Sequence, residues 1–326
     1  MRWSCLAAAL AGCNFVHGGL SGNPADAPDS ADAADGDVAD ATPDARPDSQ
    51  VISATCYSKW VNNTIQIAQP TAITEVNSPV ADRDPWLPAN ELTIYVSSPR
   101  TGTSGGDDVW MATRSSIGGT FSTPVEASAF TSTLNETKLS ISADNKIAVV
   151  GSDRPTPTGG AGIDVWESIR LNVTDQWPAM NRTNMAMVNT SGSDHDPTLS
   201  ADGQHLYLAP DSPSPQHIMM ATRTGNATFA APVLLANING TTGDADPSPT
   251  PDEKIILFSS NRSGSGDIYY ATRASTSVPF GTPHIVPTIN TTMPEGDPHL
   301  SSDGCRIYFG RDVGSYNWDI YVASAL

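Results

Sequence analysis

The sequence predicts an all-β protein, a single β-propeller of four-stranded blades. Three observations carry this. A unit typified by Asp246–Arg273, DPSPTPDEKIILFSSNRSGSGDIYYATR, recurs about every fifty residues, the mark of a repeat architecture. Each unit is built of short segments rich in β-branched and aromatic residues, such as Ile255–Phe258 and Ile307–Phe309, separated by turn residues. No segment of useful length shows the apolar period of a helix.

Within a unit the elements follow from local chemistry. Asp-Pro opens it, and the proline disfavours the helical region at the aspartate, which predicts an extended start to the first strand. A hairpin follows, with Asp202-Gly203 and Asp303-Gly304 supplying residues tolerant of positive φ. Asp267-Ile268-Tyr269-Tyr270 then alternates polar with apolar as a third strand does. A Phe-x-x-Pro piece ends the unit: FSTPVEAS after the first copy, FAAPVLLANIN after the third and FGTPHIVPTIN after the fourth. Proline suits it to an outer edge strand. Four short antiparallel strands repeated radially make a propeller.

The other copies open at Asp84, Glu136, Asp196 and Asp297. Asp-Pro-x-Leu-Ser-x-Asp-Gly followed by Asp-Ile-Tyr resembles the WD40-like, TolB-type repeat of bacterial envelope proteins, over roughly residues 57–326. The first copy departs from it with Pro88-Ala89-Asn90 at the turn, the second with Glu136-Thr137 for Asp-Pro, and the fourth with Asp252-Glu253 at the turn. These departures are expected to degrade single turns and leave the architecture standing. The chain stops after a third strand, DIYVASAL, and the missing outer piece stands at the front, where IQIAQPTAITEVNSPVADRDP resembles FGTPHIVPTINTTMPEGDP. An N-terminal strand completing the last blade closes the ring and removes two exposed edges. Five blades are expected; the alternative is six, with a degenerate blade around residues 51–83.

Residues 1–13, MRWSCLAAALAGC, resemble a bacterial lipoprotein signal. Leu10-Ala11-Gly12-Cys13 matches the lipobox, which makes Cys13 the residue to be lipidated; an ordinary secretory signal is the alternative. The resemblance implies an exported protein held by lipid in the cell envelope. Asn14 lacks the aspartate of inner-membrane retention, so the outer membrane is expected. Residues 14–50 are nearly all Ala, Asp, Pro, Gly and Ser, too polar to bury a core, and read as a disordered tether. Over about 37 residues its mean reach is roughly 30–40 Å. Residues 51–326 form the propeller domain. With Cys5 and Cys13 outside the fold, Cys56 and Cys305 remain, and both map to the blade that closes the ring. In an oxidising compartment a Cys56–Cys305 disulfide latches that blade; two buried free thiols are the alternative.

Candidate chemistry centres on carboxylates. Asp84, Glu136, Asp196, Asp246 and Asp297 are read as equivalent positions on the innermost strands, ringing one mouth of the channel. Because they repeat with the fold, their expected role is accepting hydrogen bonds in turns. As an alternative, Glu136, Asp196 and Asp297 are the acids a glycoside hydrolase or lyase would use. Asp108, Asp164, Asp267 and Asp319 precede the third strands, with His217 at that place in the third copy, and Arg114, Arg170, Arg223 and Arg273 are expected to pair with acids at the rim. His195 and His299 flank Asp-Pro motifs, yet no His-x-x-x-His or Cys-x-x-Cys spacing accompanies them, so no metal site and no cofactor are expected. The net charge of −18 argues against nucleic acid as a partner. Asn-x-Ser/Thr triplets such as those at Asn226 and Asn290 read as loop composition. The expected function is a monomeric, membrane-anchored scaffold that binds an envelope protein or polysaccharide without catalysis. The carbohydrate-active enzyme is the alternative.

Overall fold

The structure, a computed structural model, describes residues 54–102, 105–155, 162–181, 185–225 and 228–326. The signal segment with Cys13 and the tether over residues 14–50 lie outside them. The fold opens with a short helix, α1 (Ala54–Val61), and a two-residue strand, β1 (Thr71–Ala72). Five sheets follow as blades. The first blade is β2 (Arg83–Trp86), β3 (Thr93–Ser98), β4 (Asp108–Thr113) and β5 (Val125–Glu126). The second is β6 (Glu136–Ile141), β7 (Ile147–Ser152) and β8 (Asp164–Ile169). The third is β9 (Asp194–Leu199), β10 (His205–Pro210), β11 (Met219–Thr222) and β12 (Val233–Leu234). The fourth is β13 (Asp244–Pro249), β14 (Ile255–Ser260), β15 (Asp267–Thr272) and β16 (His284–Ile285), and the fifth has β17 (Glu295–Leu300), β18 (Arg306–Gly314) and β19 (Asn317–Ser324).

The ring closes as the ends of the sequence indicate. β1 supplies the outer strand of the fifth blade, with Thr71 opposite Val322 and Ala72 opposite Tyr321. Among the described residues there is no sixth blade: residues 54–61 are helical and β1 belongs to the fifth. The second copy, the one with no Phe-x-x-Pro piece, has three strands, and its outer position is a single bridge between Glu167 and Asn181. The innermost strands β2, β6, β9, β13 and β17 neighbour one another around the axis.

Hydrophobic burial between blades holds the ring. Five separate buried clusters exist, one per interface, such as Tyr207, Ile218 and Ile238 of the third blade against Ile256, Phe258 and Phe280 of the fourth. Each such side chain contributes about 1.5–3 kcal/mol. Trp110 packs in the cluster between the fifth and first blades. The cluster between the fourth and fifth blades also takes in Trp60 of α1, fully buried with its ring edge-on to Tyr270 at 4.9 Å. Cys56, on the same helix, is joined to Cys305 by a disulfide with Cα atoms 5.3 Å apart.

The Asp-Pro motif behaves differently from the expected extended start. Asp84, Asp196, Asp246 and Asp297 lie inside the first strands, each at a β-bulge, with φ of 56°, 57°, 54° and 52°. Proline bars the right-handed helical region from the preceding residue, and aspartate is among the few residues that visit the left-handed one. The bulge turns each carboxylate out of the sheet's alternation and toward the axis.

Candidate functional site

The bulges gather a group of charged side chains at the centre of the ring. The equivalent residue in the second blade is Lys138, also at positive φ (51°) and at the same kind of bulge. Glu136, read from sequence as the fifth ring acid, therefore stands two residues before the ring. Counting back four residues from the turn Ser142-Ala143-Asp144, as one counts from Ser200-Ala201-Asp202 to Asp196, arrives at Lys138. Aligning acid with acid hid it.

Four aspartates and one lysine thus meet at the axis; Asp84, Lys138 and Asp297 are buried, and Asp196 and Asp246 are half-buried. The backbone stitches the ring together: Asp84 accepts from the Lys138 amide (3.1 Å), Asp196 from that of Asp246 (3.3 Å) and Asp246 from that of Asp297 (3.2 Å). The Lys138 ammonium is 3.7 Å from Asp297 and 3.9 Å from Asp84, close enough for attraction but too far for a hydrogen bond. Burial pushes the carboxyls of Asp196 and Asp297 well above the usual range, and the charge of Asp246 adds to this. Burial opposes ionisation of Asp246 too, but Lys138 and hydrogen bonds from Ser259 and Asp297 hold its carboxyl low. Lys138 is held protonated against burial by the surrounding carboxylates. Two residues beyond Asp297 on the same strand, half-buried His299 accepts from the Leu87 amide (3.4 Å), and loss of solvent lowers its imidazole to about 3. His195 lies elsewhere, with its Nε2 3.3 Å from Asp211.

Above the ring lies a second layer of acids: Asp82, Glu136, Asp194, Asp244 and Glu295, all fully buried. Each accepts the amide of the residue four before it, Ser78, Ser132, Thr190, Gly240 and Thr291. Four are paired with an arginine: Arg100, Arg154 and Arg262 just past the second strand, and Arg311 within it, opposite Glu295. Glu136 also accepts from Ser132 Oγ (2.6 Å) and Ser152 Oγ (2.7 Å). The third blade breaks the pattern. Asp194 has no arginine, its Oδ1 has no hydrogen-bond partner, and burial pushes its carboxyl up to about 6.

A raised carboxyl stabilises the fold only while protonated. Stability from Asp194 is present below pH about 4 and lost as pH rises through about 6. With Asp164 and His195 as its charged neighbours, Asp194→Asn is expected to raise stability at pH 7.5 by about 1–3 kcal/mol. The gain should vanish near pH 4, as read by urea denaturation at the two pH values. A destabilised variant at pH 7.5 would overturn this reading.

The remaining polar groups named from sequence are structural. Gly105 N donates to Asp108 and Ser263 Oγ to Asp267, closing turns. Arg114, Arg170, Arg223 and Arg273 each donate Nε to the carbonyl of the hairpin-turn residue and stack over Phe121, Trp177, Phe229 and Phe280 at 4.1–4.4 Å. Three also pair with an acid as expected: Arg223 with Glu167 at 2.6 Å, Arg273 with Glu253 at 3.6 Å and Arg114 with Glu91 at 3.8 Å. Asn290 clamps the third strand of its blade, accepting from the Ile268 amide (2.7 Å) and donating to the Ile268 carbonyl (3.0 Å). Asn226 lies outside the described residues.

Two turn departures have roles that the sequence did not disclose. Glu91 and Glu253 occupy the glycine position of the hairpin at φ 52° and 54° and reach into the preceding blade. Glu91 accepts from Arg306 and from the Tyr308 hydroxyl (2.7 Å). Glu253 accepts from the Tyr207 hydroxyl (2.5 Å) and lies 2.9 Å from His205 Nδ1. Among the described residues no group of three or more His, Cys, Asp or Glu side chains is arranged to hold a metal ion.

No family model matches the chain, and no curated protein matches it. Many solved structures share its fold. TolB from Acinetobacter baumannii aligns over 77% of this chain and 56% of its own, with a TM-score of 0.48 and 14% identity. A thermostable family-43 glycoside hydrolase aligns over 77% and 91% (TM-score 0.50, 12% identity), and an α-L-arabinofuranosidase from Lactobacillus brevis over 78% and 94% (TM-score 0.52, 10% identity). The chain spans little more than half of that TolB. At such identity the likeness is one of fold alone: this is a five-bladed β-propeller.

Proposed function

We propose that this protein is a membrane-anchored, envelope-exposed propeller that binds a protein or glycan partner without catalysis. The observation that carries the reading is the engagement of its axial acids. Glycosidic cleavage needs two carboxyls free on either side of a bond, about 5–10 Å apart. Glu136 is instead tied to Arg154, Ser132 and Ser152, while Asp196 accepts the Asp246 amide and Asp297 is buried beside Lys138 in the ring. Each serves the closure of the ring. The lipobox and the acidic tether support the envelope address, with Cys13 as the anchor. Helix α1 meets the hairpin-turn face, through Trp60 on Gly304 and Tyr57 on Asp252, and occupies that side. The opposite face, with the loops that follow each second strand, is the one presented to partners.

The test is capture of the full chain, extracted in detergent, from solubilised envelope of its source, with a polysaccharide array alongside. A saturable partner and no release of reducing sugar is the expected result. Sugar release abolished by Glu136→Gln or Asp196→Asn would overturn the proposal in favour of a hydrolase.

A further inference from the structure

The five blades act as internal controls for one another, and the third is missing a part. In the first, second, fourth and fifth blades the buried acid above the ring shares a guanidinium with a backbone carbonyl. Arg154 meets Glu136 at 3.2 Å and the Phe130 carbonyl at 2.7 Å; Arg262 meets Asp244 at 2.5 Å and the Ile238 carbonyl at 2.6 Å. Arg311 does the same with Glu295 and Ile289 (2.8 and 2.6 Å), and Arg100 with Asp82 and Val76. The carbonyl always belongs to the residue two before the one whose amide caps the acid. In the third blade that residue is Val188, since Thr190 caps Asp194.

Both acceptors are therefore kept in the third blade, but among the described residues no arginine or lysine pairs with them. Asp194 pairs across the sheet with Pro210, as Asp244 pairs with Ser260, so Ser212 stands where Arg262 stands. Asp194 is fully buried, with Oδ1 lacking any hydrogen-bond partner. Leaving a buried charged oxygen unpaired is costly, and four sister blades avoid it in the same way. The exposed segment Asp211–Ser214 leaves β10 directly after Pro210, the residue opposite Asp194, and is held by the Asp211 amide on the Ser193 carbonyl (2.9 Å) and by Asp211 beside His195 (3.3 Å). Met219 replaces the aromatic ring that lies beneath the guanidinium elsewhere, as Trp166 does beneath Arg154. A methionine is the adaptable side chain for a group that comes and goes.

We propose that Asp194 and the Val188 carbonyl form a binding site for a guanidinium group, supplied in trans by an arginine side chain of a partner and admitted when the Asp211–Ser214 loop lifts. A planar fork satisfies both acceptors at once, which a metal ion or an ammonium does less well. A buried arginine is also a common anchor of protein interfaces. The site lies on the face opposite α1, and the net charge of −18 favours a cationic partner. The inference deepens the scaffold reading and rests on it.

The experiment titrates the full chain at pH 7.5 with Nα-acetylarginine amide, using Nα-acetylcitrulline amide and Nα-acetyllysine amide as controls, read by calorimetry and by the shift of Tm. The arginine probe should bind saturably, at least tenfold more tightly than citrulline and more tightly than lysine. Asp194→Asn should abolish the binding. Ser212→Arg, which places the guanidinium in cis, should abolish it too while raising Tm by about 2–4 °C. Equal binding of arginine and citrulline, or binding that survives Asp194→Asn, overturns the site. Stabilisation by Ser212→Arg without probe binding to the wild type overturns the trans supply. A captured partner indifferent to Asp194→Asn overturns the site and keeps the scaffold. Saturable probe binding with no captured partner does the reverse.

Discussion

Replacing Lys138 by methionine is expected to cost the folded protein about 3–5 kcal/mol at pH 7.5, the range for removing one member of a buried charge group. On a chain of this size that lowers Tm by roughly 10 °C. Methionine keeps the length and the packing of the stem, so the loss reports the charge. Asp297 and Asp84 lie within 4 Å of the ammonium, and Asp246 owes its low carboxyl pKa partly to it. Without the lysine, those carboxyls face one another with only backbone amides and hydroxyls to offset them. The deficit should shrink as pH falls, because each carboxyl then has a folded-state pKa above its unfolded one. Protonation of such a group favours the fold. Thermal denaturation of the variant at pH 7.5 and pH 5 reads both effects. A loss under 1 kcal/mol, or a loss that grows on acidification, would show that the ring does not depend on its lysine. Lys138 also holds a left-handed backbone that costs a lysine about 1–2 kcal/mol, and its retention there is explained by the charge it delivers.

The double variant Cys56→Ser, Cys305→Ser should be the next most damaging. The loop that the disulfide closes spans 249 residues, and chain-entropy arguments give an upper figure of about 5 kcal/mol for so long a loop, with 2–4 more usual. The effect should exceed that of the bond alone in one respect. Trp60, Tyr57 and Lys59 of α1 dock on Gly304, Asp252 and the Leu326 carbonyl, and a helix this short has no stability of its own. Released from Cys305, α1 should fray, and the fluorescence of buried Trp60 should shift red below the global transition. Reductant added to the wild type should reproduce both changes. Coincident loss of the Trp60 signal and of the sheet, at an unchanged midpoint, would refute the latch.

The architecture was legible in the sequence because its signals are local and repeated five times. The turn pairs Asp202-Gly203 and Asp303-Gly304 do adopt positive φ at glycine (68° and 70°), and the displaced outer piece at the front does become β1. The axis was less legible, for a definite reason. A bulge shifts which side chain faces inward by one residue, and no propensity marks its position. Glu136 therefore looked like the partner of Asp196, although Lys138 is. The turn residues Glu91 and Glu253 looked like decayed glycines. Their carboxylates turn out to fasten neighbouring blades, a role that depends on Arg306 and Tyr207 more than 40 residues away in the chain. Asp194 was passed over because its peculiarity is a missing partner, and absence of an arginine at Ser212 has meaning only once the sheets are in register.

The order of attachments at the N-terminal edge has a mechanical consequence. Cys56 comes before β1 along the chain, so tension arriving from the N-terminal side of Ala54 crosses into the ring at Cys305 through a covalent bond. The two-residue seam between β1 and β19, the weakest join of the fifth blade, lies downstream of that crossing and is spared the load. A pull applied at Ala54 is therefore borne by sulfur at the last blade, and the closing strand acts as a seal alone.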